Sequence, residues 1–304
     1  MAERPQDSLY KYCSIGTAMQ ILESRSLRWS ASHLLNDPME LNFSSELGFN
    51  TEQLLSAAIK TATGFIFAKD LPRGNAPLLA AIRRWRDEER FNSPEEAEGV
   101  LKDLISQMVD QRLDAIEAIK QDWKLFTRQM RITCFAKSPD NLNNWFQFAD
   151  NHRGMVLRFQ SEESPCFKDP QAVRYQAARP DLTTLKEQLG IILLNERHVA
   201  QEHFLDKFTT KATEYGPQQE IRCFYEQDEN EYPIDSNPAN WYVDRPFGSE
   251  DLKAVYFGLS VNAEDRKSIY NLVKKNYSLV KFFDYKLLPG KYELEAERIT
   301  EKPV

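Results

Sequence analysis

131-RITCFAKSPDNLNNWFQFADNHRGMVLRF-159 is where the apolar period of the chain changes. Residues 131–137 and 154–159 carry the short apolar runs of strands, while 140–151 reads as a short aromatic helix between them. The polar turn at 138–140 and the His152-Arg153-Gly154 return are the punctuation. Upstream the pattern is helical: 51–63, 76–91 and 94–130 repeat apolar residues every three or four positions. Ser93-Pro94-Glu95-Glu96 offers the last of these a capping box, with proline at the first helical position.

Downstream, 172–177, 220–226, 252–258, 278–287 and 291–299 read as strands, with helices predicted at 181–208 and 262–276. Asn262 caps the last helix. At the other end, 8–12 reads as a strand and 15–26 as a helix capped by Ser14. A half-buried strand at 27–32 follows, then the Asn36-Asp37-Pro38 turn. The pattern predicts one mixed α+β domain over 1–304, with a central, largely antiparallel sheet and a helical insertion at about 50–130.

The chain has 304 residues, 41% hydrophobic and 28% charged, which is ordinary globular composition with length enough for a large core. A formal net charge of -7 argues against a generally nucleic-acid-binding surface but permits a local basic groove. Part of the acidic excess lies in 226-EQDENEYPID-235, which reads as a solvated loop. The polar N-terminus and the lack of a long apolar run predict a cytoplasmic protein with no membrane partner. Cys13, Cys134, Cys166 and Cys223 are far apart, so buried free thiols are expected rather than a zinc site or disulfides.

Phosphate-loop, dinucleotide-fold, nucleophile-elbow and HExxH motifs are all missing. His198 and His203 are five apart, a poor spacing for one helix face, and no metal is expected there. In 134–159, Trp145, Phe146 and Phe148 read as core and Asp140 as a cap. In 215-YGPQQEIRCFYE-226, alternation puts Gln218, Glu220 and Arg222 on one face, which could also be an exposed sheet edge.

Three stretches, 9-LYKY with 36-NDPMELN-42, 134-CFAKSPDNLNNWFQFADNHRGMVLRF-159 and 215-YGPQQEIRCF-224, together resemble the bacterial domain-of-unknown-function family 2971 (DUF 2971). The resemblance spans most of the chain, least so residues 50–130, and its name implies no activity. The same order is similar, more distantly, to ADP-ribosyltransferase-like folds that use NAD. That likeness places Lys11 or Tyr12 first, 134–140 second and Gln218-x-Glu220 third. Lys11 stands where those folds carry His or Arg, and Ala136 replaces a Ser.

The second resemblance implies an ADP-ribosyltransferase-like protein with NAD as substrate and a protein or nucleic acid as acceptor. By association, it implies a toxin or phage-defence setting. Cleaving the nicotinamide–ribose bond builds positive charge on the ribose, as in glycoside cleavage. Glu220 is the expected stabilising carboxylate, with Tyr12 and Lys11 beside it as catalytic candidates. Arg222 or Arg153 would grip the diphosphate, and Tyr10, Tyr12 or Trp145 would stack on nicotinamide or adenine. Gln218, Asn36 and Asp37 complete the cofactor-binding set, although Asn36, Asp37 and Glu40 could equally tie the turn's amides. Two alternatives stay open: a non-catalytic nucleotide sensor, and a metal-dependent nuclease or other hydrolase built on Asp37, Glu40 and Glu220.

Overall fold

The structure is a computed structural model that describes residues 7–37, 39, 47–70, 73–162, 164–230 and 233–300. In chain order, β1 (Ser8–Cys13), α1 (Ile15–Ser24) and β2 (Ser26–Ser30) precede the helices α2 (Thr51–Phe67), α3 (Pro77–Asp87) and α4 (Pro94–Gln129). Next come β3 (Met130–Ala136), α5 (Leu142–Phe148), β4 (Met155–Gln160), β5 (Gln171–Ala172) and β6 (Arg174–Gln176). After α6 (Leu185–Leu194), α7 (Phe204–Lys207) and β7 (Thr210–Ala212) lie β8 (Glu220–Glu226) and β9 (Tyr242–Pro246). The chain closes with β10 (Leu252–Phe257), α8 (Ala263–Asn276), β11 (Lys281–Leu287) and β12 (Leu294–Ile299).

Two compact units result: Met1–Asn42, Arg128–Arg179 and Thr209–Val304 form the first, and Phe43–Thr127 with Pro180–Phe208 the second. The first unit holds a ten-stranded sheet, ordered β12-β11-β10-β4-β1-β3-β2-β9, with β8 on β3 and β5 on β8. Pairing in it is antiparallel except between β10 and β11, which α8 joins as a crossover. The fold is therefore α+β with a largely antiparallel sheet, as the pattern predicts.

β3 is the junction of that sheet. It pairs with β8 along its whole length, from Met130↔Glu226 to Ala136↔Glu220. With β1 it shares only Tyr10↔Ala136, and with β2 only Ser30↔Ile132. β1 and β2 splay from β3 between these two contacts, because α1 joins them and buries Ala18, Ile21 and Leu22 in their common core. The sheet thus opens beside Cys134.

Strand alternation divides the buried side chains of this unit. One face sends Leu9, Phe135, Leu157, Phe159, Ile221 and Val255 into the core beneath α1 and α8. The other gathers Tyr12, Val156, Ala254, Tyr256 and Tyr285 around Trp145. Ser14 and Asn262 cap α1 and α8 as expected. For α5 the cap is Asn141, which accepts the Asn144 amide at 3.1 Å, and not Asp140.

α5 returns to β4 through Asp150, Asn151 and His152, all left-handed with φ of 47°, 50° and 66°. Gly154 then passes against β1, where an added Cβ would stand 2.2 Å from the Cys13 carbonyl oxygen and 2.8 Å from that of Ala149. β7 and β9 are strands that the period does not announce, and the run 172–177 divides into β5 and β6. β9 ends in a proline at the sheet edge, where a missing N–H is tolerated.

In the second unit, α2, α3, α4 and α6 pack around Leu54, Ala58, Leu101, Ile105, Ile192 and Leu193. The helix predicted over 181–208 is interrupted. α6 starts in a capping box between Thr184 and Glu187 and stops at Asn195, which is left-handed with φ 54°. Ser93 accepts the Glu96 amide at 3.3 Å, but the Glu96 carboxylate turns to the Asn92 amide, so half of the expected box forms. Among the described residues, no helix is long and apolar enough to cross a membrane.

Gly154→Ala forces its methyl group into the Cys13 carbonyl of β1 and the Ala149 carbonyl at the end of α5, so one element or the other must shift. We expect a loss of about 2 kcal/mol or more, on the scale of overpacked cores. Urea unfolding of the variant beside wild type measures it.

Candidate functional site

A cleft of about 1040 Å³ occupies the opening in the sheet, near the upper end of the range for small-molecule sites. β1, α1, β2 and β3 supply its walls, with Asn144 and Gln147 of α5 and the run from Lys211 to Arg222 completing the lining. Gln218, Glu220 and Arg222 all reach it. The exposed-edge alternative does not hold, since β8 lies between β3 and β5 and Glu220 is 8% exposed.

Glu220 is the centre of a buried charge cluster. Its Oε1 accepts from Arg222 Nε at 2.8 Å and its Oε2 from Lys211 Nζ at 3.2 Å. Lys211 also donates to Gln218 Oε1 at 3.0 Å and sits 4.5 Å from the Tyr215 ring centre. Gln218 donates in turn to Gln147 Oε1 at 2.8 Å. The Tyr175 hydroxyl accepts the Glu220 amide at 2.8 Å. Burial alone would raise the Glu220 carboxyl, but the Arg222 guanidinium and the Lys211 ammonium outweigh it and hold the group down to about 2. Cys134 donates to the same carboxylate, and burial together with that negative charge pushes its thiol up, away from the reactive thiolate.

α5 fixes this cluster in place. Asn141 Nδ2 donates to the Pro217 carbonyl at 2.6 Å and Asn144 Nδ2 to that of Gln218 at 2.9 Å. The Asn141 amide donates to the Tyr12 hydroxyl at 3.0 Å, and that hydroxyl donates to the Ser138 carbonyl at 2.8 Å. Tyr12 is 7% exposed with its oxygen fully engaged, so it positions the cleft wall and is not a catalytic group.

The remaining expected site residues divide. Tyr10, Lys11, Asn36 and Asp37 line the cleft. Asp37 Oδ1 accepts the Met39 amide at 2.9 Å, which is the turn-tying role, whereas Pro38 and Glu40 lie outside the described residues. Trp145 does not line the cleft: it is 0% exposed, stacks on His152 at 5.3 Å and donates to the Pro139 carbonyl. Its neighbour Phe146, expected in the core, is 67% exposed, and Phe148 is exposed at the cleft. Trp145 is buried and Phe146 exposed because adjacent residues of a helix point to different faces, and only one face of α5 packs on the sheet.

Of the two arginines expected to grip a diphosphate, only Arg222 lines the cleft. Arg153 is an exposed partner of Asp150 off the cleft lining, and Arg222 is wholly buried with its Nε on Glu220. At the rim, Arg28 makes two hydrogen bonds to Asp244 and lies 3.9 Å from the Tyr242 ring centre. Cys13, Cys166 and Cys223 are buried free thiols, while Cys134 is half-buried. Among the described residues, no three His, Cys, Asp or Glu side chains form a group that could hold a metal ion.

Sequence reasoning missed Lys211, Gln147, Asn141, Asn144 and Tyr175. The polar run 141-NLNN-144 was a usable signal, since caps and loop clamps favour Asn. Lys211 lies in a three-residue strand that carries no periodic signal. Compared with known proteins, the sequence matches no family model and no curated protein, and the fold matches no solved structure.

The depressed Glu220 carboxyl links stability to acid pH. Its contribution is complete above the unfolded carboxylate value of about 4.3 and disappears as pH falls toward about 2, where the folded group protonates. Unfolding free energy measured by urea should therefore fall steeply over that window in wild type. In Glu220→Gln the slope should be shallower by roughly one proton, with stability already lower at pH 7 because Arg222 keeps its charge. Identical slopes would disprove the linkage.

Proposed function

We propose that the cleft binds NAD and that the protein transfers ADP-ribose to a protein or nucleic acid. The reading is supported above all by Glu220, a carboxylate kept ionised at the wall of a dinucleotide-sized cleft by Arg222 and Lys211. A largely antiparallel sheet with the Gln218-x-Glu220 row late in the chain is also what the resemblance to ADP-ribosyltransferase-like folds implies.

The chemistry follows from the charge. When the nicotinamide–ribose bond breaks, its electron pair leaves with the nicotinamide and positive charge develops on the ribose. A fixed negative group stabilises that charge without having to reorganise, since two cations already orient it. An acceptor nucleophile then bonds to the ribose carbon and releases its proton to solvent. Gln218, held by Lys211 and Gln147, offers amide hydrogen bonds to ribose hydroxyls. Tyr10, half-buried in the lining, supplies a ring for stacking.

The sensor alternative draws on one observation: both Glu220 oxygens already carry cationic partners. A module that only holds nucleotide needs no more than this. Chelator-treated protein incubated with labelled NAD and a cell lysate separates the readings. We expect label on a macromolecule without added metal, and a loss of about a hundredfold or more in folded Glu220→Gln, the scale for removing one electrostatic stabiliser. Tight NAD binding with no label moved by wild type supports the sensor. Metal-dependent cleavage of nucleic acid with no transfer supports the hydrolase. Full transfer by Glu220→Gln removes the catalytic role of the carboxylate.

A further inference from the structure

The opening in the sheet exposes one particular piece of backbone. The Lys137 N–H donates to the Gln219 carbonyl, and the Gln129 carbonyl accepts from the Gln227 N–H. Odd-numbered residues of β3 therefore direct their backbone groups toward β8, and even-numbered ones away from it. Ile132 and Ala136 meet β2 and β1 on that far side. Cys134, between them, directs its N–H and C=O into the cleft, and among the described residues no strand pairs with it there. Its carbonyl accepts from Lys11 Nζ at 2.8 Å.

Lys11 is electrostatically different from the other cleft cations. Arg28 is paired with Asp244, and Lys211 and Arg222 with Glu220. The half-buried Lys11 ammonium has as its partners the Cys134 carbonyl and the Phe135 ring, 5.6 Å from its centre. Among the described residues one of its three donors is in use, which leaves two for a ligand. No carboxylate among the described residues pairs with it, and an anion that enters beside a partly desolvated cation offsets the cost of its burial.

We propose that Lys11 and the Cys134 backbone amide form a phosphate-oxygen site in the opening between β1 and β3. On the NAD reading, on which this assignment of the ligand rests, the group held there is the diphosphate of the dinucleotide. Lysine suits it as a point charge, and the fixed amide adds direction. Lys11 thus takes the role expected of Arg222 or Arg153 and is a binding residue, not a catalytic one. The diphosphate would lie beside Cys134 of β3, within the same lining as Glu220.

Titration calorimetry with inorganic pyrophosphate, ADP-ribose and adenosine tests the site. Wild type should bind pyrophosphate, more weakly as salt rises. Lys11→Met should weaken pyrophosphate and ADP-ribose by about tenfold or more, the scale of one charge-assisted hydrogen bond, and leave adenosine unchanged. Lys11→Arg should retain most of the affinity, and circular dichroism confirms that each variant is folded; Lys11→Gln replaces the Met variant if that one is not. Unchanged pyrophosphate affinity in a folded Lys11→Met or Lys11→Gln protein overturns the site, as does wild type that ignores pyrophosphate at millimolar concentration. Lys11-dependent pyrophosphate binding, in a protein that neither binds nor cleaves NAD, keeps the site and ends the NAD reading. Transfer from NAD with full affinity in Lys11→Met ends the site alone.

Discussion

Glu220 can be buried only because Arg222 and Lys211 come with it. A lone carboxylate at this depth would take up a proton or stay near water, whereas two cationic partners keep it charged. Each partner needs its own support. Arg222 is carried two residues along the same strand face, and Lys211 is steadied by Gln218 and the Tyr215 ring. Gln218 is tied to Gln147, and the carbonyls of Pro217 and Gln218 are clamped by Asn141 and Asn144. The short helix α5 thus supports the charge cluster through side chains that carry no charge.

The second constraint is the opening of the sheet. A continuous ladder from β1 to β3 would place a strand opposite Cys134 and leave no room for a ligand. The two single-residue contacts, Tyr10↔Ala136 and Ser30↔Ile132, keep the sheet connected at both ends of the gap while α1 spans it. Backbone groups left over at such a gap are obligatory hydrogen-bonding groups, and Lys11 takes the Cys134 carbonyl for that reason. The opening and the buried carboxylate face each other across β3, which pairs Ala136 with Glu220 and Cys134 with Arg222.

Several elements were legible because their signals are local. Ser14 and Asn262 cap their helices as read, and the change of period at residue 130 falls at the α4–β3 boundary. Asp37 tying the turn is equally local, a side chain bonding an amide two residues on. The interrupted run after Leu194 was not legible, since the left-handed Asn195 ends a helix that apolar spacing would have continued. Trp145 and Phe146 were both read as core, yet only the tryptophan is buried, because which face of a short helix turns inward depends on what lies beneath it.

The sequence by itself determined most of the elements, the α+β class with its mostly antiparallel sheet, and the strand alternation that puts Glu220 and Arg222 on one face, for these depend on backbone periodicity and on residues a few positions apart. Gln218 joins them from a short 3-10 turn that ends at the left-handed Gln219. Only the tertiary structure decided what those groups can do. It brings Lys211 onto Glu220 from a separate two-stranded sheet, engages the Tyr12 hydroxyl with Ser138 and Asn141, and buries Arg222. It also places Lys11 at the gap in the sheet, beside a carbonyl 123 positions away in the chain and, among the described residues, with no carboxylate partner. Desolvation and charge pairing are set by neighbours that arrive from distant segments, and no local pattern encodes them.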